Sequence, residues 1–153
     1  MIIYGKQLIL HLLKSYPERI ETIFLAKECE PKLFSQMARV TDKICRIDEK
    51  KAQALSRGGN HQGFIAQIKD IELASFNEIK KGSFLVVLDE VTDVGNIGAI
   101  VCSAYAFGAD GLILSGVKTC NLEAILRTSS AAALELPIAV CASTKDMLNE
   151  LKQ

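Results

Sequence analysis

The chain has 153 residues and no net formal charge, with 49% hydrophobic and 24% charged residues. This is the composition of a globular protein with ample material for a core, and no apolar run reaches the ~18 residues of a membrane span. The N-terminal stretch MIIYGKQLIL has neither a basic lead nor a small-residue cleavage site, so we predict no secretory signal and no membrane partner.

The neutral total hides an uneven distribution of charge. Residues 1–82 carry 14 Lys and Arg against 10 Asp and Glu, whereas residues 83–153 carry 4 against 8. The basic first half fits either a polyanion-binding module or a scattered solvated surface. The five cysteines are odd in number and lack C-x-x-C spacing, which favours reduced thiols in a cytoplasmic protein over disulfides or a zinc site.

The first part of the chain, to about residue 70, has the pattern of a small α/β unit. Apolar residues recur at helical spacing in three stretches and alternate in three others. We predict helices over 6–14, 31–40 and 49–57 and strands over 20–27, 44–48 and 63–69. Residues 70–82 have the pattern of a connector with at most one helical turn.

The remainder alternates strand and helix. The continuous apolar run FLVVLDEV predicts a strand over 84–91 that is buried on both faces. Further strands are predicted over 111–115 and 137–142, with helices over about 97–107 and 143–152 and a mostly helical segment over 122–135. Because strand–helix–strand crossovers are right-handed, this β-α-β-α-β-α order predicts a parallel sheet.

Few residues carry an obvious chemistry. The stretch GNIGAI after a strand lacks G-x-G-x-x-G spacing, and no P-loop is present, so nicotinamide, flavin and P-loop nucleotide enzymes are disfavoured. His61, in the glycine-rich loop GGNHQGF, either caps a turn or contacts phosphate or ribose. Asn96, in TDVGNIG, either caps the following helix or orients a substrate at the carboxyl end of the strand.

Three ordered segments together resemble the SpoU/TrmH family of RNA ribose 2′-O-methyltransferases, which belong to the SPOUT class. They are NHQGFIA at 60–66, VLDEVTDVGNIGAIVCSAYAFGADGLILS at 87–115, and RTSSAAALELPI at 127–138. His61, Gln62 and Gly63 match the family's His-Gln-Gly element, and Asn96 and Gly98 match its Asn-x-Gly motif. The resemblance covers essentially the whole chain.

The resemblance implies a ribosomal-protein-like α/β substrate-binding domain at 1–72, a linker at 73–82, and the first part of an α/β SPOUT domain, the alpha/beta knot fold, at 83–153. It implies S-adenosyl-L-methionine (SAM) as cofactor, a tRNA or rRNA as partner, and a homodimer. Asn96 is then expected to shape the ribose and cofactor pocket as the catalytic candidate. His61, Gln62 and Arg127 are the candidates for RNA contact.

The sequence also departs from the family pattern. Val94 stands where the family usually has Pro, and Cys102 stands where it usually has an Arg that activates the 2′-hydroxyl or binds phosphate. A neutral thiol cannot make a guanidinium's bidentate phosphate contact. The Gly-Ser-Glu and Ser-Leu-Asn motifs that form the SAM-holding knot are absent, so we assign no SAM-binding residue.

Two functions therefore remain open on the sequence. The chain is either part of an RNA ribose 2′-O-methyltransferase or a non-catalytic RNA-binding fragment or scaffold of the same family. A generic nucleotide-binding α/β domain is a remote third alternative.

Overall fold

The computed structural model describes all 153 residues, which divide into two compact units, Met1–Asp70 and Ile71–Gln153. Both units are mixed α/β, as the sequence pattern predicts. None of the helices is both long and apolar enough to cross a membrane.

The first unit is built on a four-stranded sheet in the order β1-β4-β2-β3. Its strands are β1 (Ile2–Tyr4), β2 (Ile20–Leu25), β3 (Ile44–Arg46) and β4 (Phe64–Ile68), and its helices are α1 (Lys6–Ser15), α2 (Pro31–Val40) and α3 (Glu49–Leu55). Strand β2 runs parallel to β3 and antiparallel to β4.

The helices of this unit follow local signals. Pro31 occupies the first turn of α2, where a missing N–H costs nothing. Leu33 and Met37, four residues apart, form the buried face of this helix.

Strand β1 was not predicted, because three residues are too few to show an alternating pattern. It exists because Ile2–Tyr4 pairs with Ile65–Gln67 of β4 and places Ile3 in the core.

The second unit contains a three-stranded parallel sheet in the order β5-β6-β7. Its strands are β5 (Leu85–Asp89), β6 (Gly111–Ser115) and β7 (Ile138–Cys141), and its helices are α4 (Phe76–Ile79), α5 (Val94–Ala106), α6 (Leu122–Thr128) and α7 (Thr144–Leu151). The carboxyl ends of all three strands therefore lie at one edge, where ligands bind in open α/β sheets.

The structure departs from two predictions for this unit. Strand β5 is half-buried rather than buried on both faces, because it is an edge strand and pairs only with β6. The segment 122–135, predicted to be mostly helical, is interrupted: α6 ends at Thr128, Ser130 and Ala131 have left-handed φ angles of 52° and 70°, and a 3-10 turn follows over Ala132–Leu134. The buried Ser129 hydroxyl donates to Leu126 O and accepts from Ala133 N, an alternative to helical bonding that the sequence pattern does not reveal.

Candidate functional site

The carboxyl edge of the parallel sheet is held together by Asp89. Its Oδ1 atom accepts hydrogen bonds from the Ser115 hydroxyl, at 3.0 Å, and from the Thr144 hydroxyl. One carboxylate thus joins the ends of β5 and β6 to the first residue of α7. The next residue, Glu90, has a φ of 54°, an uncommon conformation for a non-glycine residue that often accompanies functional sites.

Asn96 is an exposed residue in the first turn of α5. It does not cap the helix, because α5 begins at Val94 and Asp93 is the cap: Asp93 Oδ2 accepts from Asn96 N at 2.8 Å. The predicted start near residue 97 was therefore three residues late. Asp93 could have been identified from the usual preference for Asp at a helix N-cap. The Asn96 side chain takes no part in this capping bond and is exposed in the first turn of α5, which follows β5.

Helices α5 and α6 approach each other closely at Gly98. A Cβ atom at this position would lie 2.0 Å from Thr128 Oγ1 and 2.6 Å from the Thr128 carbonyl carbon. Thr128 Oγ1 also donates to Val94 O at 2.8 Å, which fixes the end of α6 against the start of α5. Arg127, half-buried in the last turn of α6, precedes this contact in sequence and so lies on the helix that packs against the Asn96 turn.

A cavity of about 380 Å³ opens between the loops that follow β5 and β6. It is mainly apolar and contains no charged side chain; its lining is Val91, Thr92, Val94, Ile97, Leu114, Val117, Thr119, Cys120, Asn121 and Ile125. Burial raises the pKa of the Cys120 thiol, which keeps this side chain neutral. The cavity can accommodate an apolar or planar group but offers no ionic contact.

Cys102 lies on α5, almost two turns after Asn96, and is exposed. Its exposure contrasts with the burial of Val101 and Ala104 on the same helix. The position where the sequence has a cysteine in place of the family's usual arginine is therefore exposed to solvent.

In the first unit, His61 is almost fully buried, with 4% of its surface exposed. Its Nδ1 atom accepts from Gly63 N at 2.9 Å, which requires the proton to be on Nε2, and Nε2 lies 3.2 Å from Glu49 Oε1. Glu49 Oε1 also accepts from Gln53 Nε2 at 2.9 Å. The imidazole therefore fastens the 60–63 loop to α3.

Gln62 and Gly63 complete this loop. Gln62 Oε1 accepts from Lys6 N at 3.0 Å and so satisfies a free N–H in the first turn of α1. Gly63 has a φ of 86°, and a Cβ atom there would lie 2.9 Å from the Lys27 side chain. The His-Gln-Gly element thus ties the start of β4 to α1 and α3, a role that sequence spacing alone does not reveal.

We expect His61→Ala to destabilise the first unit by about 1–3 kcal/mol, because the buried Gly63 N–H loses its acceptor. Glu49→Ala is the control, since it removes only an exposed partner and should cost much less. Urea unfolding of the two variants measures the difference. Equal losses for the two variants would contradict the structural role of the imidazole.

Acid should weaken the hydrogen bonds that Glu49 accepts from Gln53 and His61. Hydrogen bonds from Gln53 and from His61 lower the pKa of Glu49 below its ordinary value of 4.5. A lowered carboxyl pKa means that its contribution to stability is present above 4.5 and is lost as the pH falls through the lowered value.

Comparison with known proteins matches each unit to a family. The sequence model for the RNA 2′-O ribose methyltransferase substrate-binding domain matches residues 2–74, and that for the SpoU rRNA methylase family matches residues 83–153. The fold and the order of these matches define a SPOUT-class protein with an RNA-substrate domain. The chain belongs to the SpoU/TrmH family of RNA 2′-O-ribose methyltransferases.

Curated relatives support the same family. The 23S rRNA (guanosine-2′-O-)-methyltransferase RlmB of Haemophilus ducreyi is 32% identical over 87% of this chain and 58% of its own length. The TrmH family tRNA/rRNA methyltransferase YacO of Bacillus subtilis is 26% identical over 99% of this chain and 65% of its own length. The chain thus spans about 58–65% of the length of these two relatives.

Solved structures share the fold. An AdoMet-bound rRNA methyltransferase from Sinorhizobium meliloti superposes with a TM-score of 0.70 at 24% identity, covering 99% of this chain and 57% of the other. The SpoU methyltransferase AviRb from Streptomyces viridochromogenes, in complex with AdoMet, gives 0.67 at 20% identity, covering 99% and 58%. At these identities, both similarities show a shared fold and nothing further.

Proposed function

We propose that this chain serves ribose 2′-O-methylation of an rRNA or tRNA, with SAM as the methyl donor. Residues 1–72 supply the RNA-binding domain, 73–82 a linker, and 83–153 the first part of the methyltransferase domain. The observation that carries the proposal is the presence of both family matches, in order, along one chain. The activities named for the H. ducreyi and B. subtilis relatives supply the two candidate RNA classes.

The proposed residue roles are those that the family resemblance implies, and the position of each residue is compatible with its role. Asn96, exposed in the first turn after β5, orients the ribose at the carboxyl edge. Arg127, on the helix packed against that turn, contacts a backbone phosphate. Gln62 is exposed at the start of α1 and contacts RNA directly, whereas His61 acts from beneath by holding the 60–63 loop in place.

The residues present do not complete a SAM site. SAM carries an ammonium, a carboxylate and a sulfonium, and polar groups of this kind need matched partners when they leave water. The cavity at the carboxyl edge has no charged side chain, and its size of about 380 Å³ is near the lower end for a cofactor. We therefore derive no methyl-transfer step from these residues.

The second candidate function is RNA binding without catalysis. It is favoured by the uncharged cavity and by the exposed thiol of Cys102 at the family's arginine position. The two candidates share an RNA-binding first unit and differ only in whether the second unit transfers a methyl group.

We also propose that the protein works in the cytoplasm as a homodimer. Helix α5 packs on α6 through one side, while its other side exposes small residues and ends in the aromatic side chains of Tyr105 and Phe107, exposed by 48% and 80%. An apolar surface of this kind is suited to a second copy. A monomer mass in sedimentation equilibrium, at the highest soluble concentration, would contradict the dimer.

RNA binding is the first test of the proposed function. We expect the 153-residue chain to retard both an rRNA fragment and a tRNA in a mobility-shift assay, with affinity that falls as salt rises because Lys and Arg displace counterions. An acidic protein of similar size is the control for non-specific retardation. No shift with either RNA at low salt would refute both candidate functions.

A further inference from the structure

A continuous groove runs between helices α1 and α2 on the first unit. Two cavities, of about 360 and 380 Å³, share Leu10 and Gln36 and so form a single depression. One end lies at the start of α1, beside Lys6 and Gln62, and the other at the ends of the two helices, beside Lys14 and Arg39. From Lys6 to Lys14 the groove follows ~12 Å of helix.

The floor of this α1–α2 groove is apolar. Leu10, Leu13 and Val40 are half-buried, and Leu33 and Phe64 are buried beneath them. The exposed amide of Gln36 lies where the two cavities join. An amide both donates and accepts hydrogen bonds, as the edge of a nucleobase does.

The rim of the groove is basic. Five cations line it, namely Lys6, Lys14, Lys27, Lys32 and Arg39, against two carboxylates, Glu28 and Glu30. None of the five takes part in the salt bridges of the structure, which join Met1 to Asp70, His61 to Glu49 and Lys80 to Glu150. Lys6 instead lies 5.9 Å from the centre of the Phe64 ring. With five cations against two carboxylates, the rim carries an excess of three positive charges.

We propose that the α1–α2 groove binds a single-stranded segment of RNA, with phosphates on its basic rim and bases on its apolar floor beside Gln36. The proposal rests on the RNA function proposed above and identifies where the first unit contacts the substrate. The excess of cations on the rim complements a polyanion, whereas the apolar floor provides a surface for bases that are not stacked in a duplex. Double-stranded RNA buries its bases and cannot use that floor.

The test compares matched neutralising variants. Lys14→Gln with Arg39→Gln removes two rim charges, and Lys50→Gln with Lys51→Gln removes two exposed charges on α3, outside the groove. Fluorescence anisotropy with a short labelled single-stranded RNA of mixed sequence, titrated at several salt concentrations, gives both affinity and salt dependence. Thermal unfolding by circular dichroism confirms that each variant is folded.

We expect the groove variant to bind more weakly and to reduce the slope of log affinity against log salt by about 1.4, as for two lost phosphate contacts on a single strand. Gln36→Leu should weaken binding without changing the slope, because an amide releases no counterion. The Lys50 and Lys51 variant should retain the affinity and slope of the unmodified chain.

Three results would overturn the proposal, each in a distinguishable way. If the unmodified chain binds no RNA, the proposed function fails together with the groove. If it binds RNA and the two double variants are equivalent, the RNA function stands and the groove is not the site. If poly-glutamate displaces the RNA as effectively as unlabelled RNA does, the groove is a site for acidic protein segments instead.

Discussion

Replacing Gly98 with alanine should destabilise the second unit by about 3 kcal/mol, at the upper end of the usual cost of overpacking. The added Cβ would lie 2.6 Å from the Thr128 carbonyl carbon, a backbone atom that cannot move without shifting the end of α6. The methyl group would also displace the Thr128 hydroxyl that bonds Val94 O. Urea unfolding, followed by circular dichroism, measures the loss.

Gly95→Ala is the matched control on the same helix. A Cβ atom at Gly95 would meet only Asp93 Oδ2, at 3.3 Å, the end of a side chain that needs to shift by only a few tenths of an ångström. Alanine is favoured over glycine in a helix by about 1 kcal/mol, which offsets the cost of that shift, and we expect Gly95→Ala to destabilise far less than Gly98→Ala. Equal stabilities for the two alanine variants would show that the α5–α6 contact is looser than this structure implies.

The second large effect concerns the cofactor. Isothermal titration calorimetry of SAM into the 153-residue chain should give no saturable heat, because the carboxyl-edge cavity offers no charged partner for the ammonium or the carboxylate. The rRNA methyltransferase from S. meliloti, whose structure contains AdoMet, provides a positive control under the same conditions.

The outcome also separates the two candidate functions. Saturable binding in the micromolar range would mean that residues of this chain complete a SAM site after all, and would favour the catalytic function. Absence of binding together with RNA retardation would favour the RNA-binding function for the chain by itself.

Much of the fold could be predicted because its signals are local. The limits of α2 and β6 were predicted to the residue, since Pro31 starts one and a continuous apolar run fills the other. The parallel direction of β5, β6 and β7 was predicted from the alternation of strands and helices joined by right-handed crossovers. The family was predicted from motifs whose residues are close in sequence, and the two family matches confirmed it.

The errors arose where distant residues decide the structure. Strand β1 depends on pairing with β4, and the exposure of β5 depends on its place at the edge of the sheet. Helix α6 ends early because the Ser129 side chain forms hydrogen bonds in place of the next helical turn. A sequence pattern records which residues are apolar, but it does not record which strand lacks a neighbour.

The candidate functional residues show the same division between what local sequence patterns predict and what contacts between distant segments decide. The sequence by itself predicted that His61, Gln62 and Asn96 match family motifs and that Cys102 stands where the family usually has an arginine. Only the tertiary structure decided that the His61 imidazole is buried under its loop, that Asp93 rather than Asn96 caps α5, and that five cations surround one groove. The reason is that motifs are fixed by short-range spacing, whereas burial, hydrogen-bond partners and charge clusters depend on which distant segments the fold brings together.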